Sequence, residues 1–200
     1  MRRVRVIVLV AMVGLLAVAA TTAWVLHQRP TSLLSAGATT SLGGPFELTD
    51  QFGRPVTDKD LRGKPTLMFF GFTYCPEVCP TTLAALTSWM ATLGPDADRL
   101  NVAYVTIDPE RDTSKQMALY LSSFDHRIRG LTGTPAQIAK IAGEYRVYYQ
   151  KVPLDGGGYT MDHSSVIYLM DAKGGFSGVI GYQEPPAQAL AKIRTLLNGG

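Results

Sequence analysis

The stretch that decides the fold is residues 66–80, TLMFFGFTYCPEVCP. Its first seven residues form a continuous apolar run, which is typical of a β-strand buried on both faces. A turn that contains Cys75 and Cys79 follows, and Pro80 suits the first turn of a helix running to about Leu93. The sequence therefore predicts a buried strand that leads into a helix, with both cysteines of the chain between them.

Further elements alternate on both sides of this stretch. We expect a β-hairpin at 46–56, a strand at 102–107, a helix capped by Asp112 or Thr113 and ending near 124, a short helix at 136–144, strands at 146–149, 165–170 and 176–180, and a last helix from about 185. This order predicts an α/β fold with a mixed central sheet flanked by helices.

The net charge of +3 comes from the N-terminal end of the chain. Of the 19 basic residues, Arg2, Arg3, Arg5 and Arg29 flank one apolar segment, which leaves 15 against 16 acidic residues elsewhere. The remaining chain has no basic stripe of the kind that binds phosphate backbones. Nucleic-acid binding is therefore not expected.

The N-terminal segment predicts attachment to a membrane. An uncharged run from Val6 to Leu26 follows three arginines, and its 21 residues are enough to span the apolar core of a bilayer. A signal peptide cleaved after residues 17–19 (AVA) is the alternative. We predict a membrane anchor at 1–29, a flexible linker at 30–45 and a globular domain at 46–200. By the positive-inside rule, the arginines before the apolar run stay in the cytoplasm and the globular domain lies on the outer side of the cytoplasmic membrane.

Cys75 and Cys79 predict either a soft-metal site or a redox pair. Residues at positions i and i+4 lie on one face of a helix, and a helix N-terminus favours thiolates. His163, which follows the glycines of residues 155–158, is a candidate third ligand. Two sulfurs and one imidazole suit Cu(I), whereas Zn(II) would need a fourth ligand such as water.

Several other residues have an ordinary structural explanation beside a functional one. Asp162 could orient His163 or cap its loop, Met161 and Met170 could be thioether ligands or core residues, and His126 is expected in solvent. The segment 108–112 (DPERD) could contact a partner or form a strand-to-helix turn.

In its motifs the sequence resembles the Sco/SenC family of cytochrome c oxidase assembly proteins from about residue 46 to the C-terminus. The residues that carry the resemblance are the segments 63–65 (GKP), 69–80 (FFGFTYCPEVCP), 108–113 (DPERDT), 130–134 (GLTGT), 145–149 (YRVYY) and 162–164 (DHS).

This resemblance implies a thioredoxin-like fold, an N-terminal membrane anchor, and copper bound as Cu(I), or also Cu(II), by Cys75, Cys79 and His163. It implies delivery of copper to the CuA site of cytochrome c oxidase subunit II, with other extracytoplasmic copper chaperones or thioredoxin-like reductants as further partners. Glu77 departs from the family, whose members commonly carry Asp there. The charge is kept, so we expect metal binding to survive.

Two enzymatic alternatives remain. In a thiol-disulfide oxidoreductase that keeps the oxidase cysteines reduced, Cys75 and Cys79 would be the catalytic redox pair and His163 would be dispensable. A peroxiredoxin-like peroxidase would require Pro at position 68 and Thr at position 72, where this chain has Met68 and Phe72. A carrier that turns over no substrate is therefore the leading hypothesis.

Overall fold

In a computed structural model of the chain, the described residues are Thr21, Trp24 and residues 42–199. The predicted anchor and most of the predicted linker lie outside them, apart from Thr21 and Trp24, which are both helical and exposed. Within the described part of the chain, no helix is both long enough and apolar enough to cross a membrane. By its contacts the chain divides into two units, Met1–Thr40 and Ser41–Gly200, and the strands and helices of residues 42–199 belong to the second.

A seven-stranded mixed sheet forms the centre of this unit. Its strands are β1 (Glu47–Asp50), β2 (Pro55–Thr57), β3 (Thr66–Gly71), β4 (Asn101–Thr106), β5 (Ile128–Thr132), β8 (Ile167–Met170) and β9 (Phe176–Ile180). They lie in the order β2-β1-β5-β4-β3-β8-β9 across the sheet. β3, β4 and β5 are parallel, whereas the other neighbours are antiparallel. The predicted mixed sheet and the hairpin in front of it are confirmed.

Four α-helices accompany the sheet: α1 (Val78–Leu93), α2 (Ser114–Leu121), α3 (Pro135–Glu144) and α4 (Pro186–Asn198). Two short 3-10 helices cover Asp58–Leu61 and Gly94–Arg99. α1 begins at Val78 and ends at Leu93, so Pro80 lies in its first turn, as predicted. Thr113 is the N-cap of α2, and its side chain accepts a hydrogen bond from the Gln116 amide.

β3 lies in the middle of the core. All six of its residues are buried, as expected for a strand covered on both faces. Met68 and Phe69 have no exposed surface. The turn that follows β3 therefore starts from a fixed position, which matters because it carries both cysteines.

A second sheet consists only of the hairpin β6 (Tyr149–Pro153) and β7 (Tyr159–His163). The strand predicted at 146–149 begins only at Tyr149, because Arg146 has a positive φ of 52° that interrupts extended backbone. The glycine-rich segment is the turn of this hairpin, with Gly157 and Gly158 in the left-handed region. His163 is the last residue of β7.

β5 has no counterpart in the prediction. Its sequence, IRGLT, breaks the apolar pattern with Arg129 and Gly130. α2 packs closely on β5 at Gly130, where a Cβ would lie 2.6 Å from Leu121 Cδ1. Glycine at this position leaves room for α2 but interrupts the apolar pattern from which a strand would be predicted.

Candidate metal centre

Three predicted ligands converge at one end of the sheet. Cys75 lies in the turn after β3, Cys79 is the second residue of α1, and His163 is the last residue of β7. Their donor atoms all lie within 4.8 Å of one another, and Cys79 Sγ is 3.9 Å from His163 Nε2. Residues 84 positions apart in sequence are thus brought together by the fold.

The cysteine turn is held by main-chain hydrogen bonds. The Cys75 amide donates to the Phe72 carbonyl at 3.2 Å, and the Cys79 amide donates to Cys75 Sγ at 3.4 Å. The second bond uses one of the amide groups that every helix N-terminus leaves without an intrahelical partner. The Cys75 sulfur therefore occupies the position at which α1 best stabilises negative charge.

A buried carboxylate holds the start of this turn. Asp112 accepts hydrogen bonds from the Thr73 amide at 3.0 Å and the Thr73 hydroxyl at 2.6 Å. It also accepts one from the Thr106 hydroxyl at 2.7 Å. Asp112, one of the two predicted caps of α2, therefore serves instead to fix the backbone two residues before Cys75.

His163 is oriented by its own chain. Its Nδ1 lies 2.8 Å from the Ser164 carbonyl oxygen, which can only accept a hydrogen bond, so Nδ1 carries the proton. Nε2 is then left with a free lone pair on the side that faces the cysteines. The rings of Phe72 and Phe69 pack against the imidazole at centroid distances of 5.9 and 6.4 Å.

The two thiols differ in acidity. A hydrogen bond from Cys79 lowers the pKa of Cys75 to about 4, against the opposing effect of partial burial. The hydrogen bond to Cys75, together with burial, raises the pKa of Cys79 well above its ordinary value. The half-buried Cys75 is therefore the thiolate and the buried Cys79 keeps its proton until a metal replaces it.

These donors fit a soft metal of low coordination number. A metal bound at about 2.0–2.3 Å from each donor needs ligand atoms roughly 3.5–4 Å apart, which small shifts would provide. Among the described residues, the group contains no fourth His, Cys, Asp or Glu. Two sulfurs and one nitrogen suit Cu(I) better than the tetrahedral geometry that Zn(II) prefers.

The hairpin that carries His163 is attached to the main sheet through Arg111. The Arg111 guanidinium lies over the ring of Tyr159, at 3.7 Å from its centroid, and over that of Tyr74, at 4.7 Å. It also donates to Asp108 and to the Tyr159 carbonyl. The Tyr159 hydroxyl in turn donates to Asp108 at 2.8 Å. We call Arg111, Tyr74, Asp108 and Tyr159 the arginine clasp.

The remaining candidates lie away from the metal centre or in the core. Met161 and Met170 are buried core residues, and the His126 side chain is 91% exposed, as expected. Asp162 is exposed, and the Ser164 carbonyl orients His163 in its place. Glu77, the departure from the family pattern, is an exposed residue at the start of α1.

The structure adds residues that sequence reasoning missed or left undecided. The Ser164 carbonyl carries no side-chain signal, so no pattern could have shown its role. Arg111, Asp108 and Asp112 all belong to the motif DPERD, for which the sequence predicts a partner contact or a strand-to-helix turn with Asp112 as a possible cap. The sequence feature that could have indicated these roles is the cluster of four charged residues around one proline, directly after a buried strand.

Comparisons with known proteins show the family to which the chain belongs. The SCO1/SenC family model matches residues 35–198. Protein SCO2, mitochondrial, of Saccharomyces cerevisiae is 40% identical over 159 residues, which are 77% of this chain and 52% of that protein. Protein SCO1 homolog, mitochondrial, of Homo sapiens is 39% identical over 160 residues, 77% of this chain and 52% of its own length. The chain thus spans about half the length of the mitochondrial relatives it matches.

Two solved structures with copper bound have the same fold. Bradyrhizobium japonicum ScoI with copper bound is 51% identical, with a TM-score of 0.74 over 78% of this chain and 99% of that one. Yeast Sco1 with copper bound is 37% identical, with a TM-score of 0.74 over 80% and 90%. The expected thioredoxin-like fold is confirmed. On the match to the family model and on these relatives, the chain belongs to the SCO1/SenC family.

Proposed function

We propose that this chain is a copper carrier that binds Cu(I) through Cys75, Cys79 and His163 and delivers it to the CuA site of cytochrome c oxidase subunit II. The observation that carries the proposal is the position of His163 Nε2, which lies 3.9 Å from Cys79 Sγ while Nδ1 is engaged by the Ser164 carbonyl. A histidine fixed in this way completes a three-donor set for copper, but it is not needed for thiol-disulfide exchange.

The difference between the two cysteines supports transfer by ligand exchange. Cys79 is fully buried, whereas Cys75 is half-buried at the surface end of the site. An incoming thiolate from a partner can therefore approach on the Cys75 side while Cys79 and His163 still hold the ion. Copper would pass through a shared intermediate without being released into water.

The proposal also includes the location and the domain organisation. Residues 1–29 would anchor the chain in the cytoplasmic membrane, 30–45 would act as a linker, and 46–200 would carry copper on the outer side of that membrane. The support is the apolar run after three arginines. Copper donors and thioredoxin-like reductants in the same compartment would load and reduce the site.

A thiol-disulfide oxidoreductase is the second candidate, and the acidity of Cys75 favours it. The Cys75 thiolate would attack one sulfur of a partner disulfide, and the other partner sulfur would leave as a thiolate. Cys79 would then lose its proton and attack Cys75, which releases the second partner thiolate. The partner gains two electrons and the chain ends with a Cys75–Cys79 disulfide.

Copper transfer in vitro distinguishes the two functions. The reduced Cu(I)-loaded protein is mixed with the metal-free, reduced CuA domain of subunit II, and copper in each protein is measured after separation. If the chain is a carrier, we expect copper to move from the wild-type protein to the CuA domain, and we expect the His163→Ala variant to transfer little copper. Insulin-disulfide reduction is the parallel assay. Robust turnover that persists in His163→Ala, without copper transfer by the wild type, would favour the oxidoreductase.

A further inference from the structure

Tyr104 places a hydroxyl group beside the sulfur of Cys79 in the interior of the domain. Tyr104 belongs to β4, and both residues have 0% exposed surface. Gly71, at the end of β3, allows their close approach. A Cβ at Gly71 would lie 2.7 Å from Cys79 Sγ and 3.0 Å from Tyr104 Oη. The sulfur and the hydroxyl therefore border the same small gap.

The Tyr104 hydroxyl has no hydrogen-bond partner among the residues that the structure describes. Buried hydroxyl groups are nearly always hydrogen-bonded, because a missing partner costs their full desolvation. A phenylalanine would fill the same place in β4 without that cost. A state of the protein in which Cys79 is a thiolate would provide the acceptor that the Tyr104 hydroxyl lacks.

The ring that carries this hydroxyl is held in place. It packs against Phe69 of β3 at a centroid distance of 5.8 Å and against Tyr120 of α2 at 6.0 Å. The O–H bond can still rotate towards the sulfur. A tyrosine hydroxyl carries its proton near neutral pH, so it is able to donate.

We propose that Tyr104 is a positioning residue of the copper centre, and that its hydroxyl donates a hydrogen bond to the Cys79 thiolate when copper is bound. The inference rests on the proposed function, because copper binding is what removes the proton from Cys79. A thiolate is a much better acceptor than the neutral thiol, since charged partners strengthen hydrogen bonds. Hydrogen bonds around a copper-bound cysteine sulfur tune its affinity and its potential.

Tyr104→Phe removes one oxygen atom and tests the inference in the full-length reduced protein. We expect the metal-free variant to unfold at the same temperature as the wild type or higher, because an unpartnered hydroxyl is lost. We expect its Kd for Cu(I) to rise about tenfold. In the Cu(II)-loaded variant, thiolate-to-copper absorption should move to lower energy, because electrons on the sulfur are no longer stabilised by the hydrogen bond.

Tyr120→Phe is the matched control. Its hydroxyl also lacks a hydrogen-bond partner among the described residues, and Tyr120 packs against Tyr104. We expect this variant to keep the wild-type Kd and absorption. If Tyr104→Phe left the Kd and the absorption unchanged, or if Tyr120→Phe changed them equally, the inference about Tyr104 would be overturned while the proposed function would stand. A wild type that binds no Cu(I) would overturn the proposed function and this inference with it.

Discussion

The guanidinium carbon of Arg111 lies 3.7 Å from the ring centroid of Tyr159, the first residue of the strand that ends in His163. β6 and β7 pair only with each other, and a two-stranded hairpin alone is at best marginally stable. The hairpin therefore depends on contacts such as the arginine clasp to stay against the main sheet. Arg111, at 23% side-chain exposure, is largely withdrawn from water there.

Arg111→Ala should loosen the His163 hairpin. A desolvated cation–π contact contributes about 2 kcal/mol, so we expect Cu(I) affinity to fall on the order of tenfold or more. The rate of amide hydrogen exchange should rise in β6 and β7 and stay low in β3, because the variant weakens the attachment of the hairpin and not the core of the main sheet. Arg111→Lys should lose less Cu(I) affinity than Arg111→Ala, because Lys keeps the positive charge but lacks the planar guanidinium that stacks on the rings.

Arg127→Ala is the control for this experiment. Arg127 also forms ion pairs, with Asp98 and Asp125, but is not part of the clasp. Its loss should leave hydrogen exchange of the hairpin and copper affinity at wild-type values. Equal exchange in the wild type and Arg111→Ala would show that other contacts dock the hairpin.

Gly71→Ala should disturb the metal centre and destabilise the core. The new Cβ would lie 2.7 Å from Cys79 Sγ and 2.8 Å from Tyr104 Cε2, so one of these must shift. Overpacking of this kind lowers the free energy of unfolding by about 1–3 kcal/mol. Urea denaturation measures the change, and Cu(I) affinity should fall with it.

Gly143→Ala is the opposite case. Gly143 lies within α3, and a Cβ there meets nothing within 4 Å. We expect it to raise the free energy of unfolding by about 0.5–1 kcal/mol, because alanine loses less backbone entropy in a helix. If Gly71→Ala lowered the free energy of unfolding no more than Gly143→Ala, the close packing of Cys79 and Tyr104 against Gly71 would be disproved.

The alkylation rate of Cys75 by iodoacetamide should depend on pH in an unusual range. With a pKa of about 4, Cys75 is already a thiolate near neutrality, so the rate should stay level from pH 8 down to about 5 and fall below that. In Cys79→Ala the hydrogen bond from the neighbouring thiol is lost, and the inflection should move to higher pH. A wild-type rate that still climbs between pH 8 and 9 would mean an ordinary thiol.

The sequence predicted the parts of this molecule that repeat a simple physical pattern. The apolar run of β3 and the cysteine spacing sufficed to predict the buried strand, the helix and two of the three candidate ligands. His163 was a weaker candidate on its own chemistry, because nothing in the local sequence shows that it lies beside Cys79. The convergence depends on the docking of the β6–β7 hairpin, which is a tertiary contact.

What the sequence could not show lies in contacts between distant segments. Asp112 was a candidate cap for α2, but it binds Thr73, 39 positions earlier in the chain. The role of Tyr104 depends on the absence of a side chain at Gly71, on the neighbouring strand. Such roles come from close approach of backbones, and residue type alone does not reveal them.

Anaerobic titration of the reduced full-length protein with Cu(I), against a competing chelator, tests the central claim most directly. The wild type should bind one copper ion per chain tightly, and His163→Ala should bind at least about tenfold more weakly. Glu77→Asp is the control and should match the wild type, because Glu77 is exposed and outside the ligand group. Equal affinities for the wild type and His163→Ala would contradict the Cys-Cys-His copper centre.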